Sequence, residues 1–82
     1  MAKYRVVIRK EAEAEFLAIP FPFRRQINQR IFKLKDDPRP PESIPDEQAE
    51  QYRRLDYSGW QILYSIDDEK GEITIFAFAA VS

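Results

Sequence analysis

The sequence predicts a small α+β domain in the order β-α-α-β-β-β, with a mostly antiparallel four-stranded sheet and a helical hairpin packed on one face. Three observations support this prediction. Residues 4–9 are rich in β-branched and aromatic side chains, residues 11–35 hold two stretches of helical periodicity, and residues 52–79 hold three strand-like segments separated by turns. The helices would leave the other face of the sheet open, and we expect function there.

The first two elements are a strand and a short helix. Alternate side chains of the strand share one side, and these are Tyr4, Val6 and Ile8. Residues 11–19 contain good helix formers, with apolar positions at helical spacing at Ala12, Phe16 and Ile19. Pro20 would end this helix, because proline lacks a backbone donor and its ring clashes with the preceding turn.

A second, longer amphipathic helix follows. Pro22 suits its first turn, and apolar side chains then recur every three or four residues, at Phe23, Ile27, Ile31 and Leu34. The opposite side is basic and carries Arg24, Arg25, Arg30, Lys33 and Lys35. Asp37 precedes Pro38, which disfavours helical geometry at Asp37 and ends the helix. The two helices therefore form a hairpin with a basic outer side.

A proline-rich joint and a three-stranded meander complete the chain. Residues 38–46 hold four of the six prolines, so we expect a stiff loop without regular structure there. Residues 47–50 are compatible with one helical turn. Strands are predicted over 52–57, 60–66 and 72–79, with turns at Ser58-Gly59 and 67–71. Strict alternation puts Phe76 and Phe78 on the same side of the last strand.

Composition limits the classes of function. Thirteen Lys and Arg stand against fourteen Asp and Glu, so any contact with nucleic acid has to be local. Cysteine and histidine are absent, which removes disulfides, thiolate metal sites and the usual general base near pH 7. We expect no metal and no cofactor. No segment approaches the roughly 20 apolar residues of a membrane span, so we expect one soluble cytoplasmic domain over 1–82 without membrane contact.

Three segments resemble the RelE/ParE superfamily, the toxins of bacterial type II toxin–antitoxin systems. They are YRVVIRKEAEAEFLAIP at 4–20, LKDDPRPPES at 34–43 and YRRLDYSGWQILYSIDD at 52–68. The third is the most specific, because it is similar to the family's basic strand, glycine turn, aromatic residue and aliphatic pair ending in Tyr. The resemblance spans nearly the whole chain and implies a cognate antitoxin protein as partner.

In the RNase branch of that family, basic side chains surround the scissile phosphate of a messenger on the ribosome. The resemblance places Arg54 at a basic position of this set, Tyr52 where a second basic residue often stands, and Gln61 at the arginine after the aromatic residue. Cleavage by a ribose 2′-hydroxyl also needs groups that accept and donate protons. The candidates are Glu42, Glu47, Glu50 and Tyr52, and Glu42 resembles a loop glutamate that some relatives use. No Arg, His or Tyr follows Tyr64, whereas such RNases carry them near their end.

The same strands and the second helix suggest RNA contacts. Alternation places Tyr52, Arg54 and Asp56 on the open side of their strand. Further RNA-binding candidates are Arg24, Arg25, Arg30, Lys33 and Arg53. The alternatives are a surface ion pair between Arg54 and Asp56, a snorkelling side chain for Arg53 and a solvated basic face for the helix. Phe76 and Phe78 are either core residues or an apolar strip under an antitoxin helix.

Three functional hypotheses follow from the resemblance. The first is a ribosome-dependent mRNA endonuclease, whose partners would be the antitoxin, the ribosome and mRNA. The second is a ParE-like toxin that inhibits DNA gyrase by binding, for which the missing RNase residues count less. The third is a degenerate or truncated member that only binds its antitoxin. We rank the endonuclease first because the short length and the SGWQILY segment resemble that branch more closely.

Overall fold

The computed structural model describes residues 4–49 and 51–81. Its elements in chain order are β1 (Arg5–Ile8), α1 (Lys10–Ala18), α2 (Phe21–Leu34), β2 (Ser43–Pro45), β3 (Tyr52–Tyr57), β4 (Trp60–Asp67) and β5 (Glu72–Ala80). The strands form one sheet in the order β1-β5-β4-β3-β2. Neighbouring strands are antiparallel except β1 and β5, which are parallel. The predicted α+β fold is confirmed, with the last three strands and both helices close to their predicted limits.

The sheet of the described residues has five strands rather than four, because β2 forms inside the proline-rich joint. Its residues Ser43, Ile44 and Pro45 pair with Leu55, Arg54 and Arg53 of β3. The expectation of a joint without regular structure is therefore wrong at this point. Proline is tolerated here because β2 is an edge strand, where a residue without an N–H need not donate to a neighbour. The helical turn predicted over 47–50 is absent from residues 47–49, and Glu50 lies outside the described residues.

The core lies between the helices and one face of the sheet. The helical hairpin contributes Ala12, Ile19, Ile27, Ile31 and Leu34, and the sheet contributes Leu55, Ile62, Tyr64, Ile66, Ile73, Ile75 and Phe78. The buried helix positions are ones that helical periodicity predicted, with one exception, whereas the prediction for β5 was wrong, as described below. Phe23 was assigned to the apolar side of α2 but is 44% exposed, because the buried positions of this helix begin only at Ile27.

An irregularity in the pairing of β4 with β5 changes which residues share a face. Leu63 pairs with Ala77, whereas its neighbour Tyr64 pairs with Ile75. Strand β5 therefore carries one extra residue, Phe76, at this point. Such a β-bulge interrupts the alternation of side chains between the two faces of a sheet.

The bulge separates the two phenylalanines of β5. Phe78 is buried, and its ring centroid lies 5.3 Å from that of Phe16 in α1. The ring of Phe76 instead lies 5.3 Å from that of Tyr52, whose strand position faces the open side. The prediction that both phenylalanines share one side is therefore wrong, since it assumed unbroken alternation.

Polar contacts hold the proline-rich joint against the sheet. The buried Tyr64 hydroxyl donates to the Pro38 carbonyl at 2.7 Å, and the Ser43 hydroxyl donates to the Pro40 carbonyl at 2.8 Å. Burial raises the pKa of Tyr64. Arg53 Nε donates to Ser43 Oγ at 2.9 Å, which ties β2 to β3.

Among the described residues, neither helix is long and apolar enough to cross a membrane.

Candidate functional site

The open face of the sheet carries a cleft of about 730 Å³. Strand β2 forms one rim, the loop after it covers one end, and β3, β4 and β5 form the floor. The lining residues are Ile44, Pro45, Asp46, Glu47, Gln48, Tyr52, Arg53, Arg54, Gln61, Leu63, Tyr64 and Phe76. Three of the four predicted catalytic candidates, Tyr52, Arg54 and Gln61, are therefore brought together here, and Glu42 is not.

Arg54 lies on the cleft side of β3, as alternation predicted. Its Nε is 3.5 Å from Asp56 Oδ1, and both side chains remain nearly half exposed. Gln61 of β4 pairs with Asp56 across the strands, so Gln61 stands diagonally next to Arg54 on the same face. An exposed ion pair of this kind contributes between zero and about 1 kcal/mol. The Arg54 guanidinium can therefore exchange Asp56 for another anion at little cost.

An aromatic pair lies beside this arginine. The ring centroids of Tyr52 and Phe76 are 5.3 Å apart and their planes are tilted by 55°. The guanidinium carbon of Arg9 lies 5.4 Å from the centre of the Phe76 ring. Arg9 and Phe76 were absent from the predicted site, because Phe76 was predicted to share a side with Phe78 and no sequence pattern reveals the bulge that separates them.

The loop after β2 brings acidic side chains to the cleft. Asp46 N–H donates to the Tyr52 carbonyl at 2.8 Å, and the Gln48 N–H donates to the Asp46 carboxylate at 3.3 Å. These bonds hold the loop over the end of β3 and place Glu47 in the lining of the cleft. Glu47 was one of the predicted proton-transfer candidates. Glu50, another of them, lies outside the described residues.

Glu42 lies on the helix side of the molecule, where it forms an ion pair with Arg30 of α2. The Arg30 side chain is only 17% exposed and its guanidinium carbon is 5.9 Å from the centre of the Tyr57 ring. Glu42 is therefore engaged away from Arg54, which is a correction to its assignment beside the catalytic set. Arg30 is likewise not part of a free basic face, because it pairs with Glu42 of the joint. Helical spacing within α2 could not reveal a partner that lies outside the helix.

The other RNA-binding candidates fall into two groups. Arg25 and Lys33 are exposed on α2, and Arg24 donates to the Leu17 carbonyl at 3.2 Å. They lie on the helices, across the sheet from the cleft. Arg53 does border the cleft, but its guanidinium is bonded to Ser43, as expected for a residue at the sheet margin.

The cleft thus combines the Arg54 guanidinium, the Tyr52 phenol, an aromatic pair, two side-chain amides and two carboxylates. A guanidinium suits phosphate oxygens, and the phenol and carboxylates can donate and accept protons. Within the described ranges, no three acidic side chains lie close enough together to hold a metal ion. The arrangement therefore fits acid–base chemistry on a phosphate ester.

Several solved structures with the same fold are RelE toxins, alone or with their antitoxins. The RelBE2 toxin–antitoxin complex of Mycobacterium tuberculosis is similar to this chain with a TM-score of 0.83 and 21% identity, over 95% of this chain and 98% of that one. The archaeal RelE–RelB complex of Pyrococcus horikoshii gives 0.85 and 22%, over 95% and 94%. The isolated E. coli RelE toxin gives 0.86 and 16%, over 96% and 85%.

No protein-family model matches the chain, and no curated protein matches it significantly in sequence. The structural likeness covers nearly the whole chain, whereas the identities are about one residue in five. The chain therefore has the RelE fold, which is the fold that the sequence resemblance implied.

Proposed function

We propose, from the RelE fold and the cleft on its open face, that this chain is the toxin of a type II toxin–antitoxin pair and cleaves mRNA on the ribosome in the cytoplasm. The observation that carries the proposal is that Arg54, Gln61 and Tyr52 line one cleft together with Glu47. Three of these positions are the ones that the resemblance to RNase toxins marks, and Glu47 supplies the carboxylate that Glu42 cannot.

The residues of the cleft support a metal-independent cleavage. The 2′-hydroxyl of one nucleotide attacks the adjacent phosphorus, and its proton passes to the Glu47 carboxylate. The Arg54 guanidinium stabilises the negative charge that develops on the phosphoryl oxygens, and Gln61 can donate to them. The bond to the 5′-oxygen breaks, and this oxygen takes the proton of the Tyr52 hydroxyl. The products are a 2′,3′-cyclic phosphate and a 5′-hydroxyl end.

The proposed partner is a cognate antitoxin of the RelB kind. Support comes from structural neighbours in M. tuberculosis and P. horikoshii, which are complexes of toxin and antitoxin. The chain also exposes large apolar side chains, including Leu17, Phe21 and Phe32 at 60%, 65% and 63%. A protein partner that covers such residues would raise the melting temperature of the toxin, because binding to the folded state alone shifts the unfolding equilibrium.

The central experiment is cleavage of ribosome-bound message by wild type and by Arg54 variants. Arg54→Ala removes the donor to the phosphate and should reduce the cleavage rate by on the order of 10²-fold or more. Arg54→Lys should retain part of the activity, since it keeps the charge but loses the planar fork. Gln61→Arg places a further guanidinium beside Arg54 and should raise the rate. Circular dichroism and antitoxin pull-down serve as controls for folding and partner binding.

The same experiment separates the three hypotheses. A gyrase supercoiling assay is run beside the cleavage assay with the same protein. Inhibition of supercoiling without any cleavage would replace the endonuclease by a ParE-like gyrase inhibitor. Antitoxin binding with neither activity would leave the degenerate, antitoxin-binding member as the function.

A further inference from the structure

The bulge in β5 leaves one large apolar ring on the open face of the sheet. Ile73 and Ile75 are buried, so alternation places Phe76 on the opposite, open face, where it lines the cleft. The extra residue returns Phe78 to the core, so only one of the two phenylalanines is buried under the helices. β-Bulges are frequent next to functional sites, where they redirect a side chain. The apolar ring therefore needs an explanation from the open face.

A second aromatic ring meets it from two strands away. Tyr52 of β3 is 42% exposed, and its ring centroid lies 5.3 Å from that of Phe76. The two rings support each other in a tilted arrangement typical of aromatic pairs. Together they form an aromatic patch on a face that also carries the polar side chains of Arg54 and Gln61. We refer to Tyr52 and Phe76 as the aromatic platform.

Guanidinium groups border the platform. Arg9, which follows β1, lies over the Phe76 ring, and Arg54 lies two residues from Tyr52 on the same face of β3. Each is paired with an exposed carboxylate at 3.5 Å, Glu11 for Arg9 and Asp56 for Arg54. Aromatic rings flanked by cations are the usual means of binding single-stranded nucleic acid, in which bases stack and phosphates pair with the cations.

We infer that the aromatic platform stacks a nucleobase of single-stranded RNA, with Arg9 and Arg54 holding the phosphates on either side of it. This inference rests on the proposed function, because it names how the substrate of that site is held. It assigns Phe76 and Arg9 as RNA-binding residues. It also gives Tyr52 two separate tasks, since its ring stacks while its hydroxyl donates a proton.

The favoured occupant is RNA rather than an apolar side chain of a protein partner. An apolar protein side chain would need only the two rings for binding. The guanidinium groups beside the rings are suited to the phosphates of a polyanion. Stacking is also tolerant of base identity, because every base has an aromatic face. The platform should therefore hold the message in register without selecting its sequence.

The test uses a short single-stranded RNA with the fluorescent base 2-aminopurine at its centre, whose emission is quenched when it stacks. Titration with the full-length wild-type chain should quench the fluorescence. Phe76→Leu and Tyr52→Leu should each weaken binding by on the order of 10-fold and abolish the quenching, whereas Phe76→Tyr and Tyr52→Phe, which keep a ring, should bind the RNA and quench as wild type does, whatever their effect on cleavage. The matched control is Phe21→Leu, which makes the same change at an exposed position of α2.

Cleavage and quenching fail independently, so the two proposals can be told apart. Quenching that depends on Phe76, in a protein that cleaves no message, would leave the platform standing and remove the endonuclease. The platform is overturned if wild type does not quench, or if quenching persists in both leucine variants, even when cleavage is intact. It is also overturned if Phe76→Leu keeps RNA binding and loses the antitoxin, which would make Phe76 a protein contact.

Discussion

The two faces of the sheet carry the same kind of ion pair in different environments. On the helix side, Arg30 is 17% exposed and pairs with Glu42. On the open side, Arg54 is 44% exposed and pairs with Asp56 at 3.5 Å. The first guanidinium is held between helix, joint and strand, so removing its partner affects folding. The second is free to exchange its partner, so it is available for a ligand. Burial, rather than residue type, separates the arginine held within the structure from the one that can exchange its partner.

The largest effect is expected from replacing one of two glutamates by glutamine, Glu47 on the open face or Glu42 on the helix side. Glu47→Gln on the open face removes the proposed proton acceptor and should lower the cleavage rate by about 10²- to 10⁴-fold with an unchanged melting temperature. Glu42→Gln on the helix side should leave the rate unchanged and lower the free energy of unfolding by up to about 1 kcal/mol, since its carboxylate is half exposed. The measurements are cleavage of ribosome-bound message and urea unfolding. The reverse pattern would show that the joint, not the loop after β2, supplies the base.

A second prediction compares the two sides of α2. Ile31→Ala leaves a cavity under the sheet and should cost roughly 2–5 kcal/mol of unfolding free energy. Lys33→Ala on the exposed side should change it by less than about 0.5 kcal/mol. Urea titration of both variants measures the difference. Equal losses would mean that α2 does not bury the face described for it.

A third prediction compares two tyrosines, one on each face. Tyr64→Phe leaves the Pro38 carbonyl without its donor and should cost about 1–3 kcal/mol, because the acceptor is buried. Tyr52→Phe on the open face should change stability by less than about 0.5 kcal/mol while reducing cleavage. Thermal unfolding and the cleavage assay together measure both effects. An unchanged stability of Tyr64→Phe would show that this hydrogen bond does not help to hold the joint.

The smallest effect is expected at the end of the sheet, outside both faces. The Asp68 carboxylate accepts hydrogen bonds from Arg39 at 2.8 and 3.2 Å and from the Tyr4 hydroxyl at 2.7 Å. The bonds from Arg39, and then that from Tyr4, lower the pKa of Asp68. A carboxyl whose pKa is lowered on folding stabilises the protein above its ordinary pKa of 3.8, and this stabilisation is lost as the pH falls through the lowered value.

Acid unfolding of wild type and Asp68→Asn measures this contribution. The wild type should be slightly more stable at neutral pH, and the two unfolding curves should converge as the pH falls from the ordinary pKa of the carboxyl through its lowered value in the folded protein. The difference is small because the pair is exposed and screened by solvent. A difference that stays constant down to the lowest pH would assign the effect to the shape of the side chain rather than to its charge.

Periodicity predicted most of the fold because each element buries one face. The spacing of Ile27, Ile31 and Leu34 marks the buried side of α2, and alternation in β3 puts Leu55 inside and Arg54 outside. The same alternation predicted that Arg54 and Gln61 face the open side. These inferences depend only on local geometry, which neighbouring residues determine.

The predictions that failed depend on contacts between distant segments. Glu42 and Glu47 are both acidic residues of the same connecting region, and only the paths of the joint and the loop put one beside Arg30 and the other in the cleft. Strand β2 exists because β3 offers it hydrogen bonds, in spite of its proline. Local propensity carries no information about either arrangement.

The sequence by itself determined the element order, the buried sides of the helices and strands, and the position of Arg54 on the open face, because these follow from the helical and strand periods. Tertiary structure alone decided the aromatic platform. The register of β4 against β5 leaves one residue without a partner, and that residue is Phe76. Register is a property of two strands paired across the sheet, so the composition of either strand does not reveal it.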